Sequence, residues 1–514
     1  MTDRAILLRL SGDFYTKARK TRLRFLRRLA HNLEDALTTH GFVYRLQKSW
    51  SRFVLEIEPA PGGPDPAEVL PRVFGIQSVS EIERRPWTTL DDVVAAGEEL
   101  FREAVAGRRF AVRAHRRGDR AAIPFDSLAV ERALGRALLA YGAGVQLKDP
   151  AVTAHVEVEP GVVHFFRDRV AGRGGLPIGV EGRAVALVSG GFDSAVAAWL
   201  MLKRGVQLDY VFCNLGGEPH RLGALRVMRL LGESWSYGYR PRLHELDFRP
   251  LVEALQRDTD PRFWQLLLKR QMLRGAEAIA RRGGAAGIVT GDAIGQVSSQ
   301  TLQNLAVVSQ AAVLPALRPL LGSNKEEILA LAREVGVYAA AAEVEEYCGL
   351  AAPKPATRAP LGAVQHEEAR LDPALLAAAL QARRSFDLRG LAAADLAPST
   401  LELERIPEGA TLLDLRPRAS FQTWHHPAAL SLEFPHALTA FPALPRDRTY
   451  VVYCEVGWKS THLAERMRDA GFLAHHLKGG LGAAMAQAGL ETAAERALLA
   501  PAVREGKSLA EPFS

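Results

Sequence analysis

Along the first sixty residues the apolar positions change period twice. Ala5-Ile6-Leu7-Leu8 reads as a strand. Leu23, Leu26, Leu29 or Ala30, Leu33 and Leu37 then recur at three- and four-residue steps with arginines between them, which predicts a basic amphipathic helix. Strand character returns over 42–57 and stops at Pro59-Ala60-Pro61-Gly62-Gly63-Pro64. A small α/β unit is predicted next, over about 65–170. It holds a strand at 110–114, a helix starting near Asp126-Ser127, and a strand pair at 152–158 and 162–166. After the break Gly172-Arg173-Gly174-Gly175-Leu176-Pro177, strands alternate with helices from about 180 to 340: strand 184–188, helix 195–204, strand 208–212 and strand 287–291. That alternation predicts a doubly wound parallel sheet with its ligand at the carboxyl ends of the strands. Alanine- and proline-rich sequence, including Pro353-Lys354-Pro355, leads to a last unit from about 401, where 412–416 and 450–453 are short strands followed by helices. No internal repeat is evident, and the fold class is multidomain α/β.

Length agrees with that division: 514 residues at about 150 per domain give three or four units. No run of about 20 apolar residues could span a bilayer, and the N-terminus lacks the apolar core of a secretory signal. A cytoplasmic protein without a membrane partner is expected. Net charge is +7, and its distribution says more than its size. Arg19, Lys20, Arg22, Arg24, Arg27 and Arg28 form one cluster; Arg108, Arg109, Arg113, His115, Arg116, Arg117 and Arg120 form a second. Either alone could be a solvated helix face, but two in the N-terminal region point to nucleic-acid phosphates. The three cysteines, Cys213, Cys348 and Cys454, exclude a disulfide scaffold and fall short of a structural zinc site.

The strand 184–188 runs into Ser189-Gly190-Gly191-Phe192-Asp193-Ser194 and then into a helix. Two glycines let the backbone approach a ligand, and the serines and helix N-terminus offer O–H and N–H donors, so the turn suits a phosphate. It lacks the Lys-Ser/Thr ending of a Walker loop and resembles the PP-loop of ATP pyrophosphatases, which adenylate a substrate and release pyrophosphate. Cys454 ends the strand 450–453 and opens Cys454-Glu455-Val456-Gly457-Trp458-Lys459-Ser460-Thr461. A cysteine entering a helix sits among N–H donors that favour the thiolate, and Lys459 adds positive charge. With Asp414-Leu415-Arg416 upstream, this loop resembles that of rhodanese-like sulfurtransferases. It departs from them in Lys459, where arginine is frequent, and in His425-His426-Pro427. Cys348 taken alone reads as an inert thiol, and Cys213, after a buried strand, reads as packing.

Nearly the whole chain resembles the long-form tRNA 4-thiouridine synthases, or tRNA uracil 4-sulfurtransferases. Beyond the two loops, the resemblance rests on 73–76, 110–113, Leu215-Gly216-Gly217, 290–301, 317–322 and Glu346-Tyr347-Cys348-Gly349. It implies a ferredoxin-like domain over 1–62, a THUMP RNA-binding domain over 65–169, a PP-loop adenylation domain over 178–350, a linker over 351–400, a rhodanese-like domain over 401–490 and a tail over 491–514. It further implies that Leu187, Val188, Lys269, Gly291 and Gln300 contact ATP, with Mg²⁺ accompanying it, and that Ser189, Gly190, Gly191 and Ser194 cradle phosphate. Asp193 would serve activation, the alternative being an aspartate that only caps the helix. Lys269 could be a solvated helical lysine; Lys325 would aid tRNA or nucleotide contact by the same resemblance, or could equally be a first-turn residue after a Ser323 cap. By the same resemblance Cys454 carries a persulfide supplied by a cysteine desulfurase, and Cys348 resolves it through a Cys348–Cys454 disulfide. The implied product is 4-thiouridine at tRNA position 8. Sulfur relay to a carrier protein for thiamine thiazole synthesis is a second reading, and a catalytically degenerate THUMP-type RNA-binding protein a third.

Overall fold

A computed structural model describes residues 4–50, 52–58, 62–344, 354–397, 400–455 and 457–489. Cys348 therefore lies outside the described residues. The chain divides into two compact units; the first comprises the residues up to Glu181 together with Leu202–Val206 and Ser234–Tyr239.

In the first unit the elements follow in order as β1 (Arg4–Leu10), α1 (Arg19–Thr39), β2 (Val43–Lys48), β3 (Arg52–Glu58), α2 (Pro66–Val69), β4 (Ile76–Pro86), α3 (Leu90–Val105), β5 (Arg109–Arg116), α4 (Ser127–Leu138), β6 (Gly144–Val145), β7 (Val152–Glu159), β8 (Val162–Phe166) and β9 (Val170–Ala171). Thr89 starts α3 with a capping box closed by Asp92, and Asp126 caps α4. The strands make one sheet in the order β2-β3-β1-β4-β8-β7-β5-β6, with β9 beside β4. Phe25, Leu29, Leu33 and Leu37 of α1 are buried with Leu8, Phe53 and Leu55, while α3 and α4 bury Phe101, Val130 and Leu134 with Phe110, Val156 and Phe165.

One sheet runs across the boundary expected at 62. Strand β4 pairs with β1 over Ile76–Ile82 and with β8 over Glu83–Pro86, so the first sheet half is completed by residues beyond 65. Arg9 of β1 and Arg52 of β3 both pair with the buried Glu157 of β7, which ties the two halves together. The basic cluster of α1 is also partly structural. Arg28 donates to the carbonyls of Ile178 at 2.7 Å and Gly238 at 3.0 Å. Arg22 is buried between the rings of Tyr15 and Trp50. Arg19, Lys20, Arg24 and Arg27 stay exposed, as do Arg108, Arg109, His115 and Arg117 of the second cluster.

The second unit begins with β10 (Arg183–Val188), α5 (Phe192–Lys203), β11 (Gln207–Asn214), α6 (Gly217–Trp235), β12 (Arg242–Asp247), α7 (Arg249–Asp258), α8 (Trp264–Arg282), β13 (Ile288–Val289), α9 (Leu302–Ser309), β14 (Ala316–Leu317), α10 (Lys325–Val335) and α11 (Tyr338–Ala342). After them come α12 (Leu361–Glu368), α13 (Pro373–Gln381) and β15 (Arg384–Asp387). Sheet order is β14-β13-β10-β11-β12-β15, parallel except for β15. Strand β10 is apolar throughout its interior because it is central and flanked by β11 and β13. The winding reverses between β10 and β13, which opens a crevice at their carboxyl ends.

The segment 351–400, expected as a linker, is in good part structured. Its antiparallel strand β15 pairs with β12, and Glu368 of α12 binds Arg270 and Arg274 of α8. An edge strand of four residues, Arg-Ser-Phe-Asp, has no alternation to announce it.

The remaining elements of this unit are β16 (Glu402–Leu403), β17 (Thr411–Asp414), α14 (Arg418–Thr423), β18 (Ala429–Ser431), α15 (Phe434–Ala440), β19 (Thr449–Tyr453), α16 (Trp458–Asp469), β20 (Leu473–Leu477) and α17 (Gly480–Gln487). Their five strands are all parallel, in the order β16-β20-β19-β17-β18. Here the winding reverses between β17 and β19, so the Asp414 and Cys454 loops meet at one end of the sheet.

Candidate active sites

The turn after β10 is a closed set of hydrogen bonds. Ser194 Oγ donates to the Gly191 carbonyl at 3.1 Å and accepts the Ser189 N–H at 3.3 Å, while Ser189 Oγ accepts the Gly191 N–H at 3.4 Å. Gly190 has φ +83°, and a Cβ there would lie 3.1 Å from the Ala224 Cα, so this position needs glycine twice over. Leu187 and Val188 lead into the turn, and Ser189 remains exposed at the start of α5, where N–H groups and the helix dipole favour an anion.

From the other side of the crevice comes Gly291, just beyond β13. A Cβ on it would stand 2.7 Å from both the Asp193 carbonyl carbon and the Ser194 nitrogen. The turn and the β13 loop are thus in backbone contact. Gly291→Ala is expected to push the start of α5 out of place, to cost about 1–3 kcal/mol and to weaken nucleotide binding. Urea unfolding and calorimetric titration with ATP would read the two effects.

Asp193 does more than sit in the first turn of α5. Its Oδ1 accepts from Lys325 Nζ at 2.9 Å and its Oδ2 from Gln296 Nε2 at 2.9 Å. The ammonium of Lys325 also lies over the Phe192 ring, 5.6 Å from its centroid. Lys325 follows Asn324, which caps α10; the Ser323 cap read from sequence is displaced by one residue. Sequence therefore singled out Asp193 and Lys325 separately, and the fold makes them an ion pair.

Sequence reasoning missed the centre of the β13 side, Asp292. Its carboxylate accepts from Lys269 Nζ at 2.8 Å, Thr290 Oγ1 at 2.8 Å, Arg318 Nε at 3.2 Å and Gln300 Nε2 at 3.3 Å. Burial would raise its pKa, but Lys269, Thr290 and Arg318 prevail and hold it down at about 2. Lys269 is accordingly not a solvated helical lysine. Gln300 Oε1 is buried with no partner among the described residues, an acceptor suited to an N–H-bearing ligand such as a nucleobase. The set of backbone N–H groups, two cations and one buried acceptor fits a nucleoside triphosphate.

The second centre follows β19. Cys454 is buried, and its Sγ accepts the Gly457 N–H at 3.2 Å and lies 3.5 Å from Ser460 Oγ. Gly457, at φ +90°, turns the loop into α16. Lys459 is packed toward the Phe434 ring, 5.9 Å from its centroid. Behind the loop, Arg416 and Asp414 form a fully buried bidentate pair, and Tyr453 Oη donates to Asp414 at 2.6 Å. His425 stacks on Phe421, and the His426 N–H donates to Tyr453 Oη at 3.3 Å. Cys213 is buried in an apolar cluster with Val211 and Leu246, which drives its thiol pKa upward, so it is packing.

The two centres share a docked boundary. Glu465 of α16 accepts the Glu218 N–H at the start of α6 and pairs with Arg249, whose guanidinium also holds Asp247 at 2.7 Å. His462 Nδ1 lies 3.3 Å from Glu253 of α7. Leu251, Val252 and Leu255 of α7 belong to one buried cluster with Leu463, Ala464 and Met467 of α16.

Comparison with known proteins agrees with this architecture. Family profiles match as "ThiI ferredoxin-like domain" over 5–80, "THUMP domain" over 88–167, "Thiamine biosynthesis protein (ThiI)" over 179–372 and "Rhodanese-like domain" over 399–487. A tRNA sulfurtransferase of Marinobacter nauticus is 34% identical, covering 91% of this chain and 97% of its own. One from Pyrobaculum aerophilum is 37% identical, over 80% of this chain and 84% of its own. Among solved structures, a 4-thiouridine synthetase–RNA complex with bound ATP aligns at TM-score 0.65 and 30% identity, over 75% of this chain and 99% of that one. The chain belongs to the tRNA sulfurtransferase family.

Proposed function

We propose that the protein thiolates tRNA at the expense of ATP, adenylating the C4 oxygen of uridine 8 and replacing it with sulfur carried on Cys454. A uracil carbonyl oxygen is a poor leaving group, and joining it to AMP with loss of pyrophosphate makes it a good one. Ser189, Gly190, Gly191 and Ser194 would cradle phosphate, and Lys269, Gln300 and Asp292 would line the nucleotide site. The Asp193–Lys325 pair would position the activating end. Mg²⁺ would arrive with the triphosphate, whose oxygens supply much of its coordination.

The observation that carries the reading is the pairing of two switch-point sites in one unit: an anion-accepting turn after β10 and a buried thiol on the Gly457 N–H after β19. The outer persulfide sulfur on Cys454 would attack C4 and expel AMP, leaving a Cys454–S–S–C4 adduct. The Cys348 thiolate would then attack Cys454 Sγ, releasing 4-thiouridine and forming a Cys348–Cys454 disulfide that a dithiol reductant reopens. A cysteine desulfurase is the proposed sulfur donor. Incubation with ³⁵S-cysteine, desulfurase and ATP tests the reading: label should enter tRNA, and its appearance only on a thiamine-pathway sulfur-carrier protein would favour the relay function. The profile match named for thiamine biosynthesis is the reason to include that arm.

The N-terminal unit is proposed to hold tRNA through its backbone phosphates and shape. Arg109 and Arg117 are exposed cations of the second cluster. Replacing both with alanine is expected to weaken tRNA binding and to lower the slope of log affinity against log salt by about 2, with ATP affinity unchanged. Fluorescence anisotropy across a salt series would measure it.

A further inference from the structure

The sulfur of Cys454 stands at the end of a buried chain of hydrogen-bonding groups that the sequence did not announce. Ser460 Oγ lies 3.5 Å from Cys454 Sγ and 3.3 Å from His476 Nδ1, and His476 Nε2 lies 3.3 Å from Glu402 Oε1. Ser460 and His476 are fully buried, whereas Glu402 at the far end is about one-quarter exposed, its carboxyl side chain at 24%. Three elements supply the chain, α16, β20 and β16, so it exists only in the folded sheet.

The proton positions follow from the partners. A carboxylate at Nε2 calls for a proton there, which leaves Nδ1 of the neutral ring as an acceptor facing the Ser460 hydroxyl. Ser460 has one proton and three neighbours able to take it: Nδ1, the sulfur, and the Gly457 carbonyl at 2.8 Å. When the thiol proton moves to Ser460 Oγ and the serine proton to Nδ1, the thiolate keeps the Gly457 N–H and gains the serine O–H. The imidazolium then faces Glu402. That carboxyl is held below its ordinary pKa, against the effect of burial, by its bond to His476. Lys478, which also lies 3.9 Å from the exposed Glu404 carboxylate, and Arg226 both favour the Glu402 carboxylate.

We infer that His476, acting through the Ser460 hydroxyl and oriented by Glu402, takes the proton of Cys454 when the enzyme is loaded with sulfur. The inference rests on the reading of Cys454 as sulfur carrier. In the step, the Cys454 thiolate attacks the outer sulfur of a donor persulfide R–S–SH. The donor S–S bond breaks as the Cys454 Sγ–S bond forms, and R–S⁻ leaves to be protonated with the equivalent held on His476. The sum is Cys454–SH plus R–S–SH giving Cys454–S–SH plus R–SH, with no net oxidation or reduction. His476 and Glu402 are positioning and proton-holding groups that touch no substrate; Ser460 touches the sulfur.

Glutathione persulfide as donor to the full-length protein removes the need for a protein partner, and mass spectrometry of alkylated Cys454 peptide reads single-turnover loading. Ser460→Ala and His476→Asn are each expected to slow loading by about 10²-fold at pH 7. The double variant should be no slower than the slower single one, because both break the same chain. Above pH about 9, where a thiol ionises unaided, all rates should converge on that of the parent. Rates equal to the parent at pH 7, or a deficit that persists undiminished at high pH, would overturn the inference. If His476→Asn fails to fold, Glu402→Gln supplies the same pH comparison with a milder expected deficit. Absence of any persulfide on Cys454 in the parent protein would instead strike the carrier reading itself.

Discussion

Replacing Cys454 with serine is expected to bring 4-thiouridine formation below about 10⁻³ of the parent rate, with ATP and tRNA affinity unchanged. A serine hydroxyl fits the space of the thiol and can accept the Gly457 N–H that Sγ accepts at 3.2 Å. It can also face Ser460, so the loop after β19 has no structural reason to rearrange. What serine lacks is the ability to hold a second sulfur. The loss should therefore appear in turnover and not in unfolding, where the midpoint in urea should stay within the range of a neutral substitution. Cys213→Ser provides the opposite pattern. That side chain is packed among apolar neighbours, so a hydroxyl there should cost about 1–3 kcal/mol while each folded molecule remains active. Thiouridine assayed by chromatography of tRNA hydrolysates, set beside urea curves for both variants, separates a chemical cysteine from a packing one. Retained thiolation in Cys454→Ser would remove the sulfur from this site altogether.

What the sequence disclosed about these sites depended on how local each feature is. The Ser189–Ser194 turn and the Cys454 loop are read directly, because a buried strand, a glycine turn and a helix start are contiguous. Asp193 and Lys325 were each noticed, but their ion pair spans 132 residues and requires α5 and α10 to be brought together. Asp292 passed unnoticed inside a matching stretch, since nothing local says that Lys269, Gln300 and Arg318 will converge on it. A carboxylate three residues past a buried strand, at the reversal of winding, was the available signal. His476 and Glu402 are harder still, because adjacent parallel strands with no turn between them create their register. The basic cluster of α1 misleads in the opposite sense: Arg22 and Arg28 are spent on aromatic rings and carbonyls, and only burial distinguishes them from Arg24 and Arg27. Strands β4 and β15 are not read from sequence, for a related reason. Their partners, β1 and β12, lie across stretches that look like linkers in sequence.

Asp292→Asn is the substitution expected to damage the nucleotide half most. In the native protein one buried carboxylate neutralises Lys269 and Arg318 and also holds Gln300 in place. An amide keeps the volume but carries no charge and puts an N–H where a donor already points. Lys269 and Arg318 are only partly buried, so leaving them without their counter-ion should cost less than the about 3–5 kcal/mol of a fully buried pair, and the variant should still unfold at lower urea concentration at pH 7. The acid limb gives a second, independent reading. The Asp292 pKa falls from 3.8 in an unstructured chain to about 2 in the fold. A depressed carboxyl pKa stabilises the folded state above the unfolded value, and that contribution disappears as pH drops through the folded one. The parent should therefore lose roughly 2 kcal/mol from this group between about pH 4 and pH 2, while the asparagine variant shows no such component. ATP affinity should fall as well, because Lys269 and Gln300 lose the anchor that aims them, whereas loading of Cys454 with sulfur, which uses the other sheet, should proceed at the parent rate. A variant that bound ATP normally and kept the parent's acid limb would show that Asp292 is not the anchor of the crevice between β10 and β13.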